Sequence, residues 1–220
     1  MNHLIVQSSD AVTLVGGGPV SRPALSEALR FAPMIVAADA GADRVLRLGQ
    51  MPQAVIGDMD SLTVAARVRL AGRLFPIAEQ HSTDFDKALR SIAAPFVLGL
   101  GFSGARLDHG LAVLNALVRH SGRRCLILSA RDVTFLCPPD LTLTLPPGSR
   151  LSLFPMGQVT GESEGLRWPL QGQDFAPDGL IGTSNEVATP EVRLRFSAPK
   201  MLVILPRVAL AAALRGLGLR

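Results

Sequence analysis

The aspartates in the first half of this sequence are its clearest chemical signal. Asp39 directly follows the apolar run Met34–Ala38, and Asp58 and Asp60 follow Ala54–Gly57. The carboxyl ends of parallel strands share one edge of a sheet, so side chains placed after such strands meet in one crevice. The set predicted to converge there, from four separate loops, is Asp39, Asp58, Asp60, Asp84 and Asp108.

A cation is expected among these aspartates, because carboxylates that converge without one repel each other. Ligand sets made of oxygen alone, without imidazole or thiolate, favour Mg²⁺ over zinc. Magnesium held by one or two carboxylates usually shares its other positions with phosphate and water. The alternative is that each aspartate caps a helix or forms a turn.

Two glycine-rich loops are candidates for phosphate contacts. Gly16-Gly17-Gly18 lies between a predicted strand and a predicted helix, where backbone N–H groups can bind phosphate. This loop matches neither the dinucleotide-binding pattern nor the P-loop pattern. Gly99, Gly101 and Gly104 precede Arg106, whose guanidinium could bind a phosphate or could equally lie on the surface.

The other polar and aromatic candidates are weaker signals. Ser61 and Thr83 lie beside the carboxylates and are expected to cap helices or contact phosphate, since the sequence has no GxSxG or Ser/His/Asp pattern. His109 is expected to have a structural or hydrogen-bonding role. Trp168 is the only tryptophan, a residue type that more often fills a core than binds a ligand, and Ser184-Asn185 could be a plain turn.

The elements that position these residues divide the chain into two parts. Up to about Pro138, short apolar runs alternate with stretches of helical periodicity, a pattern typical of a mainly parallel sheet with flanking helices. From Leu141 the apolar residues alternate with period two, which predicts a small antiparallel β domain. We therefore predict an α/β domain over residues 1–138 and a β-rich domain over 139–220 with a short helical tail. The predicted helices include Ala42–Leu48, Thr63–Ala71, Asp84–Ile92, Asp108–Arg119 and Val208–Leu217.

Composition excludes several classes of protein. A chain of 220 residues with 48% hydrophobic and 18% charged residues can bury one or two cores, which excludes disorder and a disulfide-stapled miniprotein. Cys125 and Cys137 match no zinc or CxxC spacing and fit a reduced, cytoplasmic protein. The mean hydropathy of +0.31 raises the question of a membrane segment, but the apolar run Ile92–Phe102 is far shorter than the ~20 residues that a bilayer requires.

The basic charge of the chain does not indicate nucleic-acid binding. The net charge is +4 and the isoelectric point is near 10.0. The arginines are scattered, however, and no basic run is interleaved with aromatic residues. We expect neither a nucleic-acid nor a membrane partner.

The aspartates lie in motifs that resemble those of the thiamine pyrophosphokinase family. A second group of motifs, toward the C-terminus, resembles the thiamine-binding domain of that family, so that the likeness extends from about Val12 to Leu205. The first group is Asp39-Ala40-Gly41-Ala42, Gly57-Asp58-Met59-Asp60-Ser61, Ser82-Thr83-Asp84-Phe85-Asp86-Lys87-Ala88-Leu89 and Gly104-Ala105-Arg106-Leu107-Asp108-His109. The second group is Gly165-Leu166-Arg167-Trp168-Pro169-Leu170 and Thr183-Ser184-Asn185-Glu186.

The resemblance implies a reaction and an architecture. Enzymes of this family transfer the pyrophosphoryl group of ATP to the hydroxyl of thiamine, giving thiamine diphosphate and AMP, and they depend on Mg²⁺. Their α/β domain binds ATP, and a β-sandwich-like domain follows it. They are homodimers in which thiamine lies between the catalytic domain of one subunit and the β domain of the other.

The resemblance also implies roles for particular residues. Magnesium would be held by Asp58, Asp60 and Asp84, which with Arg106 and Asp108 form the implied catalytic set. Asp108 or Asp84 would accept the proton of the thiamine hydroxyl. The implied ATP-binding residues are Gly17, Gly18, Asp39, Ser61, Thr83, Lys87, Gly104 and His109. The implied thiamine contacts are Trp168, which becomes a stacking platform, with Ser184 and Asn185.

The sequence departs from the family pattern and leaves two other functions open. The family commonly has glycine at the positions of Ala40 and Ala105, a Lys-Asp pair at Gln80-His81, and asparagine at Val113. One alternative is a pyrophosphokinase for another alcohol, such as a hydroxymethyl pterin. The other is a thiamine- or nucleotide-binding sensor that has lost catalysis.

Overall fold

The computed structural model describes residues 4–104 and 106–219, so that Ala105 lies outside the described residues. The chain folds as two compact units. The first comprises Met1–Ala116 with Gly122–Ser129, and the second comprises Leu117–Ser121 with Ala130–Arg220. Among the described helices, none combines the length and the apolar character that a bilayer crossing requires.

The first unit is built on parallel strands with helices between them. Six strands lie side by side in the order β8, β7, β2, β3, β4, β5, and all neighbouring pairs are parallel. The central strands are mostly apolar and almost completely buried, as expected for a parallel sheet covered by helices. The strands are β1 Val6–Gln7, β2 Val12–Val15, β3 Met34–Ala38, β4 Ala54–Gly57, β5 Leu74–Pro76, β6 Ile92–Ala93, β7 Val97–Leu100 and β8 Cys125–Leu128. β1 and β6 form a separate short parallel pair.

Five helices connect these strands. They are α1 Arg22–Leu29, α2 Gly41–Arg47, α3 Val64–Arg69, α4 Asp84–Ser91 and α5 Leu107–Arg119. Hydroxyl caps begin α1, α3 and α4, where Ser21, Thr63 and Thr83 accept hydrogen bonds from backbone N–H groups of the first turn. In α4 the cap is followed by two aspartates in the first turn, and Arg90 lies in the last turn, which suits the helix dipole.

The second unit consists of antiparallel strands. β14, β11, β16 and β9 lie side by side, and β10, β15, β12 and β13 form a second sheet. The strands are β9 Asp132–Leu136, β10 Asp140–Thr144, β11 Arg150–Pro155, β12 Val159–Glu164, β13 Gln171–Phe175, β14 Gly182–Glu186, β15 Glu191–Phe196 and β16 Met201–Pro206. A 3₁₀ turn, Arg207–Ala209, and the helix α6 Leu210–Gly216 follow. β10 and β15 alternate buried and exposed residues, as strands with one face on a core do.

The predicted fold class, an α/β part with a mainly parallel sheet followed by an antiparallel β part, is confirmed. The predicted tail helix Val208–Leu217 begins two residues later than expected, at Leu210, because Val208 and Ala209 belong to the 3₁₀ turn. Five strands, β1, β6, β12, β13 and β14, were not predicted, and β6 begins at Ile92, the last residue of the predicted helix Asp84–Ile92. The assignment of residues 1–138 and 139–220 to separate functional domains stays a prediction.

Candidate active site

A cavity of about 570 Å³ lies at the carboxyl ends of the parallel strands of the first unit. The loops after β2, β3, β4, β5 and β7 all contribute to it, which is where ligands bind in open α/β sheets. Its lining residues are Gly16, Gly17, Gly18, Ala38, Asp39, Ala40, Asp58, Asp60, Ser61, Gln80, Ser82, Thr83, Asp84, Phe85, Lys87, Gly101, Phe102, Arg106, His109 and Val113. The predicted convergence of aspartates is therefore found for Asp39, Asp58, Asp60 and Asp84.

Three of these carboxylates form a cluster that suits a cation. Asp39, Asp58 and Asp60 each place one carboxylate oxygen within 4.8 Å of the others. Asp39 is 3% exposed, and its Oδ1 atom is buried without a hydrogen-bond partner. Burial raises the pKa of Asp39, and the nearby charges of Asp84 and Asp58 raise it further. A buried carboxylate oxygen without a partner is costly, and a bound cation would satisfy it.

The backbone beside the clustered carboxylates is strained at two positions. Asp39 has a φ of 40° and Met59 a φ of 68°, both in the left-handed region that non-glycine residues rarely adopt. Such residues cost about 1–3 kcal/mol each and are concentrated at functional sites. Gly57 allows a close approach, because a Cβ atom there would lie 2.8 Å from the Cβ of Asp39.

Lys87 supplies a cation within this acidic cavity. Its side chain is 2% exposed, and its Nζ atom donates hydrogen bonds of 3.0 Å to Asp58 Oδ2 and 3.1 Å to Asp84 Oδ1. Burial alone would raise the pKa of Asp58, but the hydrogen bond from Lys87 holds that pKa below its usual value. Burial alone would likewise lower the pKa of Lys87, and its two carboxylate partners raise it instead.

The three clustered carboxylates therefore differ from the three metal ligands that the resemblance implied. Asp58 and Asp60 belong to both, but the third clustered residue is Asp39, which had been assigned to ATP. Asp84 lines the cavity and accepts a hydrogen bond from Lys87 three residues later on α4. The signal for Asp39 was its position directly after β3, the same signal that identified Asp58 after β4.

The first glycine loop is mostly engaged within the protein. Gly16 N–H donates to Leu100 O at 2.8 Å, and Gly18 N–H donates to Gly101 O at 2.9 Å. A Cβ atom on Gly18 would lie 2.6 Å from that same carbonyl oxygen, so the two glycine loops pack directly on each other. The N–H groups of Gly16 and Gly18 are therefore already bonded to the loop after β7, which leaves Gly17 as the candidate donor of this loop.

The residues around α5 are divided between the cavity and the surface. Arg106 and His109 line the cavity, but Asp108 and Gly104 are not among its described lining residues. Arg106 donates two hydrogen bonds to Asp108, of 3.1 Å from Nε and 2.6 Å from Nη2. The hydrogen bond from Arg106 lowers the pKa of Asp108. Both side chains are more than half exposed.

The two hydroxyl residues beside the carboxylates lie where the sequence placed them. Ser61 lines the cavity and donates a 2.8 Å hydrogen bond to Asp60 Oδ1. Thr83 lines the cavity and caps α4, accepting from Asp86 N–H at 3.3 Å.

Sequence analysis did not single out Phe102 as a lining residue. It follows β7 by two positions, which was the available signal. Its ring meets Phe85 edge to face, with centroids 4.7 Å apart, and forms apolar surface in an otherwise polar cavity.

The second unit places Trp168 and Asn185 at a smaller cavity of about 270 Å³. Trp168 is 56% exposed, so it does not fill the core. Buried Asn185 holds the backbone of Trp168 with two hydrogen bonds, accepting from its N–H at 3.2 Å and donating to its carbonyl at 2.7 Å. The guanidinium carbon of Arg167 lies 5.1 Å from the Trp168 ring centroid.

Ser184 and Asn185 belong to β14, so the reading of this pair as a plain turn was wrong. Ser184 has a φ of 60°, and its N–H donates to Ser152 Oγ at 3.0 Å. Thr183 and Asn185 line the smaller cavity, whereas Ser184 is not among its described lining residues.

The sequence matches two family models, one after the other. Residues 25–128 match the catalytic domain of thiamin pyrophosphokinase. Residues 140–201 match the vitamin B1 binding domain of thiamin pyrophosphokinase. The chain is also 29% identical over 207 residues to thiamine pyrophosphokinase 1 of Oryza sativa subsp. japonica, covering 75% of this chain and 78% of the rice protein.

Solved structures share the fold. Thiamin pyrophosphokinase from Candida albicans matches with a TM-score of 0.78 and 14% identity, covering 94% of both chains. Thiamin pyrophosphokinase from Geobacillus thermodenitrificans matches with a TM-score of 0.70 and 23% identity, covering 89% of this chain and 96% of that one.

Proposed function

Since this chain belongs to the thiamine pyrophosphokinase family, we propose that its acidic cavity binds ATP with Mg²⁺ and directs the pyrophosphoryl group to thiamine. The activity is that of a thiamine pyrophosphokinase. The hydroxyl oxygen of thiamine forms a bond to the β-phosphorus of ATP, the bond from that phosphorus to the oxygen of AMP breaks, and thiamine diphosphate results. The observation that carries the proposal for this cavity is the cluster of Asp39, Asp58 and Asp60 at the carboxyl edge of the sheet.

The donor set fits magnesium. All three clustered side chains offer carboxylate oxygens, and the orphaned Oδ1 of Asp39 gives the site a buried acceptor in need of a cation. We propose Asp39, Asp58 and Asp60 as the residues that would hold Mg²⁺. Asp84 is proposed to face the substrates while it is paired with Lys87. When bound, the ion supplies positive charge that offsets the negative charge of the phosphates.

We propose that the other residues of the cavity position the phosphates of ATP and neutralise their charge. Phosphoryl-type transfer depends mainly on alignment and on electrostatic stabilisation of the phosphate oxygens. We propose that Arg106 and the N–H of Gly17 contact phosphate, together with Ser61, Thr83 and His109. Lys87 forms ion pairs with Asp58 and Asp84, and its hydrogen bond lowers the pKa of Asp58.

Of the two candidate proton acceptors, we favour Asp84 over Asp108. Asp84 lines the cavity, whereas Asp108 is not among the described lining residues and accepts both hydrogen bonds of Arg106. Asp84 would take the proton of the thiamine hydroxyl as the oxygen–phosphorus bond forms. Arg106 and Asp108 are proposed to act as a pair at the cavity mouth.

Thiamine is proposed to bind at Trp168, in a homodimer. The exposed indole face suits a cationic thiazolium ring, and the cavity beside it is also lined by the exposed residues Leu180 and Ile181. This apolar surface supports the dimer implied by the family, in which a partner subunit completes the thiamine site. A cytoplasmic location is proposed on the free thiols of Cys125 and Cys137, both buried.

The direct test is a product assay. The purified protein is incubated with ATP, Mg²⁺ and thiamine, and the products are separated by chromatography. Equal amounts of thiamine diphosphate and AMP are expected. The matched control is Asp58→Asn, which keeps the size of the side chain and removes a proposed ligand.

The same assay separates the competing functions. Release of AMP only with a hydroxymethyl pterin would assign the chain to another acceptor. Bound thiamine without turnover would indicate a sensor. Wild-type turnover by Asp58→Asn would contradict the metal assignment alone.

A further inference from the structure

A short loop between β5 and α4 forms one wall of the nucleotide cavity. This loop is defined as residues 79–83. Three of its residues, Gln80, Ser82 and Thr83, line the cavity. Thr83 is also the cap of α4, which carries Asp84 and Lys87. The position of the 79–83 loop therefore decides how this wall meets a ligand.

The first residue of the loop, Glu79, is bound to the far end of α4. Its Oε1 atom accepts a hydrogen bond from Arg90 Nη2 at 2.6 Å and another from the hydroxyl of Ser82. The side chains of Glu79 and Arg90 are 25% and 18% exposed, so water only partly screens the ion pair. Glu79 thus joins the lining residue Ser82 to the last turn of α4.

These hydrogen bonds connect the 79–83 loop to both ends of α4. Thr83 caps the N-terminus of α4, and Arg90 holds Glu79 from its last turn. Arg90 is itself supported, because its carbonyl oxygen accepts a 3.1 Å hydrogen bond from Arg123 Nη2. The loop is consequently joined by hydrogen bonds to the helix that carries Lys87, whose ammonium contacts Asp58 in the acidic cluster.

We propose that Glu79 and Arg90 are positioning residues for the nucleotide. They hold the 79–83 loop so that Gln80, Ser82 and Thr83 face the bound phosphates, without touching the nucleotide themselves. This inference rests on the proposed function, since it takes ATP as the ligand of the cavity. The contact of thiamine with Trp168, proposed for the second unit, does not involve the pair.

The test compares nucleotide binding with thiamine kinetics. Equilibrium binding of Mg²⁺–ATP is measured by calorimetry for the wild type, for Glu79→Gln, for Arg90→Met and for the double variant E79R/R90E. The two single variants are expected to weaken binding about 10-fold, the lower end for residues that orient a ligand's direct contacts. The thiamine KM stays within about twofold, and E79R/R90E recovers part of the loss because the opposite charges are restored. The matched control is Glu191→Gln, which breaks the exposed 2.8 Å ion pair with Arg193 on β15.

The outcomes are distinct. The positioning role is overturned if the Kd for Mg²⁺–ATP in Glu79→Gln is unchanged, or changes as little as it does in Glu191→Gln. An equal rise in the thiamine KM also overturns it, because that result indicates general damage to the fold. If the wild type binds Mg²⁺–ATP and forms no thiamine diphosphate, the proposed function fails while the binding comparison still decides the role of Glu79.

Discussion

The ammonium of Lys87 lies 3.0 Å from the carboxylate of Asp58, with the lysine side chain almost completely buried. A charge at this depth is stable only because it is paired, and the 3.1 Å contact with Asp84 pairs it a second time. The protein thus neutralises part of its acidic cavity with its own cation. The cluster of Asp39, Asp58 and Asp60 places three carboxyl groups beside this single ammonium, which supports the proposed metal site.

Replacing Lys87 with methionine is expected to destabilise the fold. The change keeps most of the side-chain volume and leaves Asp58 and Asp84 without their cation. Breaking a buried ion pair from one side costs about 3–5 kcal/mol, and the partial exposure of Asp84 favours the lower end. The free energy of unfolding in urea measures the loss, and excess Mg²⁺ should reduce it.

Lys200→Met is the matched control, since Lys200 is the only other lysine and is exposed. A loss of stability no larger for Lys87→Met than for Lys200→Met would contradict the structural role of the buried pair.

Asp58→Asn is expected to remove activity in a protein that still folds, because the buried Lys87 keeps its 3.1 Å ion pair with Asp84. The substitution deletes a charged oxygen from the clustered carboxylates at a loop, where the backbone is unchanged. We expect kcat/KM to fall at least ~100-fold, equivalent to about 2.7 kcal/mol of transition-state stabilisation. Asp178→Asn, at an exposed position of the second unit, is the control and should keep wild-type kinetics.

The fold and much of the acidic site could be predicted because both depend on local patterns. The alternation of apolar runs with helical periodicity is a property of the chain itself, and it placed Asp39 and Asp58 at strand ends. The pairing of Lys87 with Asp58, 29 positions earlier, depends on β4 and α4 meeting in space. The unsatisfied Oδ1 of Asp39 depends on burial, which spacing does not reveal.

The unpredicted strands β12, β13 and β14 show why the second unit was harder. Their sequences are rich in glycine and polar residues, and β14 reads Gly182-Thr183-Ser184-Asn185-Glu186. β14 pairs with β11, β12 with β15, and β13 with β12, so the tertiary context overrides weak intrinsic preference. The hydrogen bond from Asn185 to the backbone of Trp168 depends on where β14 lies in the sheet, so it could not be predicted from the sequence.

Asp39→Asn is expected to stabilise the metal-free protein while it removes metal binding. The pKa of Asp39 is raised by burial, so the folded state holds this proton more tightly than the unfolded chain does. Its contribution to stability is therefore fully present below the ordinary aspartate pKa and is lost as pH rises through the raised value. At neutral pH without divalent cations the variant should be more stable by about 1 kcal/mol, the scale of a buried polar group without a partner.

Thermal unfolding over a pH series with and without Mg²⁺ measures this effect. Relative to Asp39→Asn, the wild type should lose stability with rising pH in chelator and regain it with Mg²⁺, since the other carboxylates titrate in both proteins. A variant that Mg²⁺ stabilises as strongly as the wild type would remove Asp39 from the ligand set.

Trp168→Ala is expected to impair thiamine binding selectively. The indole is more than half exposed and its backbone is held by Asn185, so truncation should change the free energy of unfolding by no more than ~0.5 kcal/mol. Losing an aromatic face from a cationic ring costs on the order of 1–2 kcal/mol, which corresponds to a rise in the thiamine KM of roughly 10-fold. Trp168→Phe keeps an aromatic face and should recover part of the affinity. Steady-state kinetics with each substrate varied in turn provide the measurement: the ATP KM should stay within about twofold, and equal rises in both constants would show that Trp168 supports the fold and does not contact thiamine.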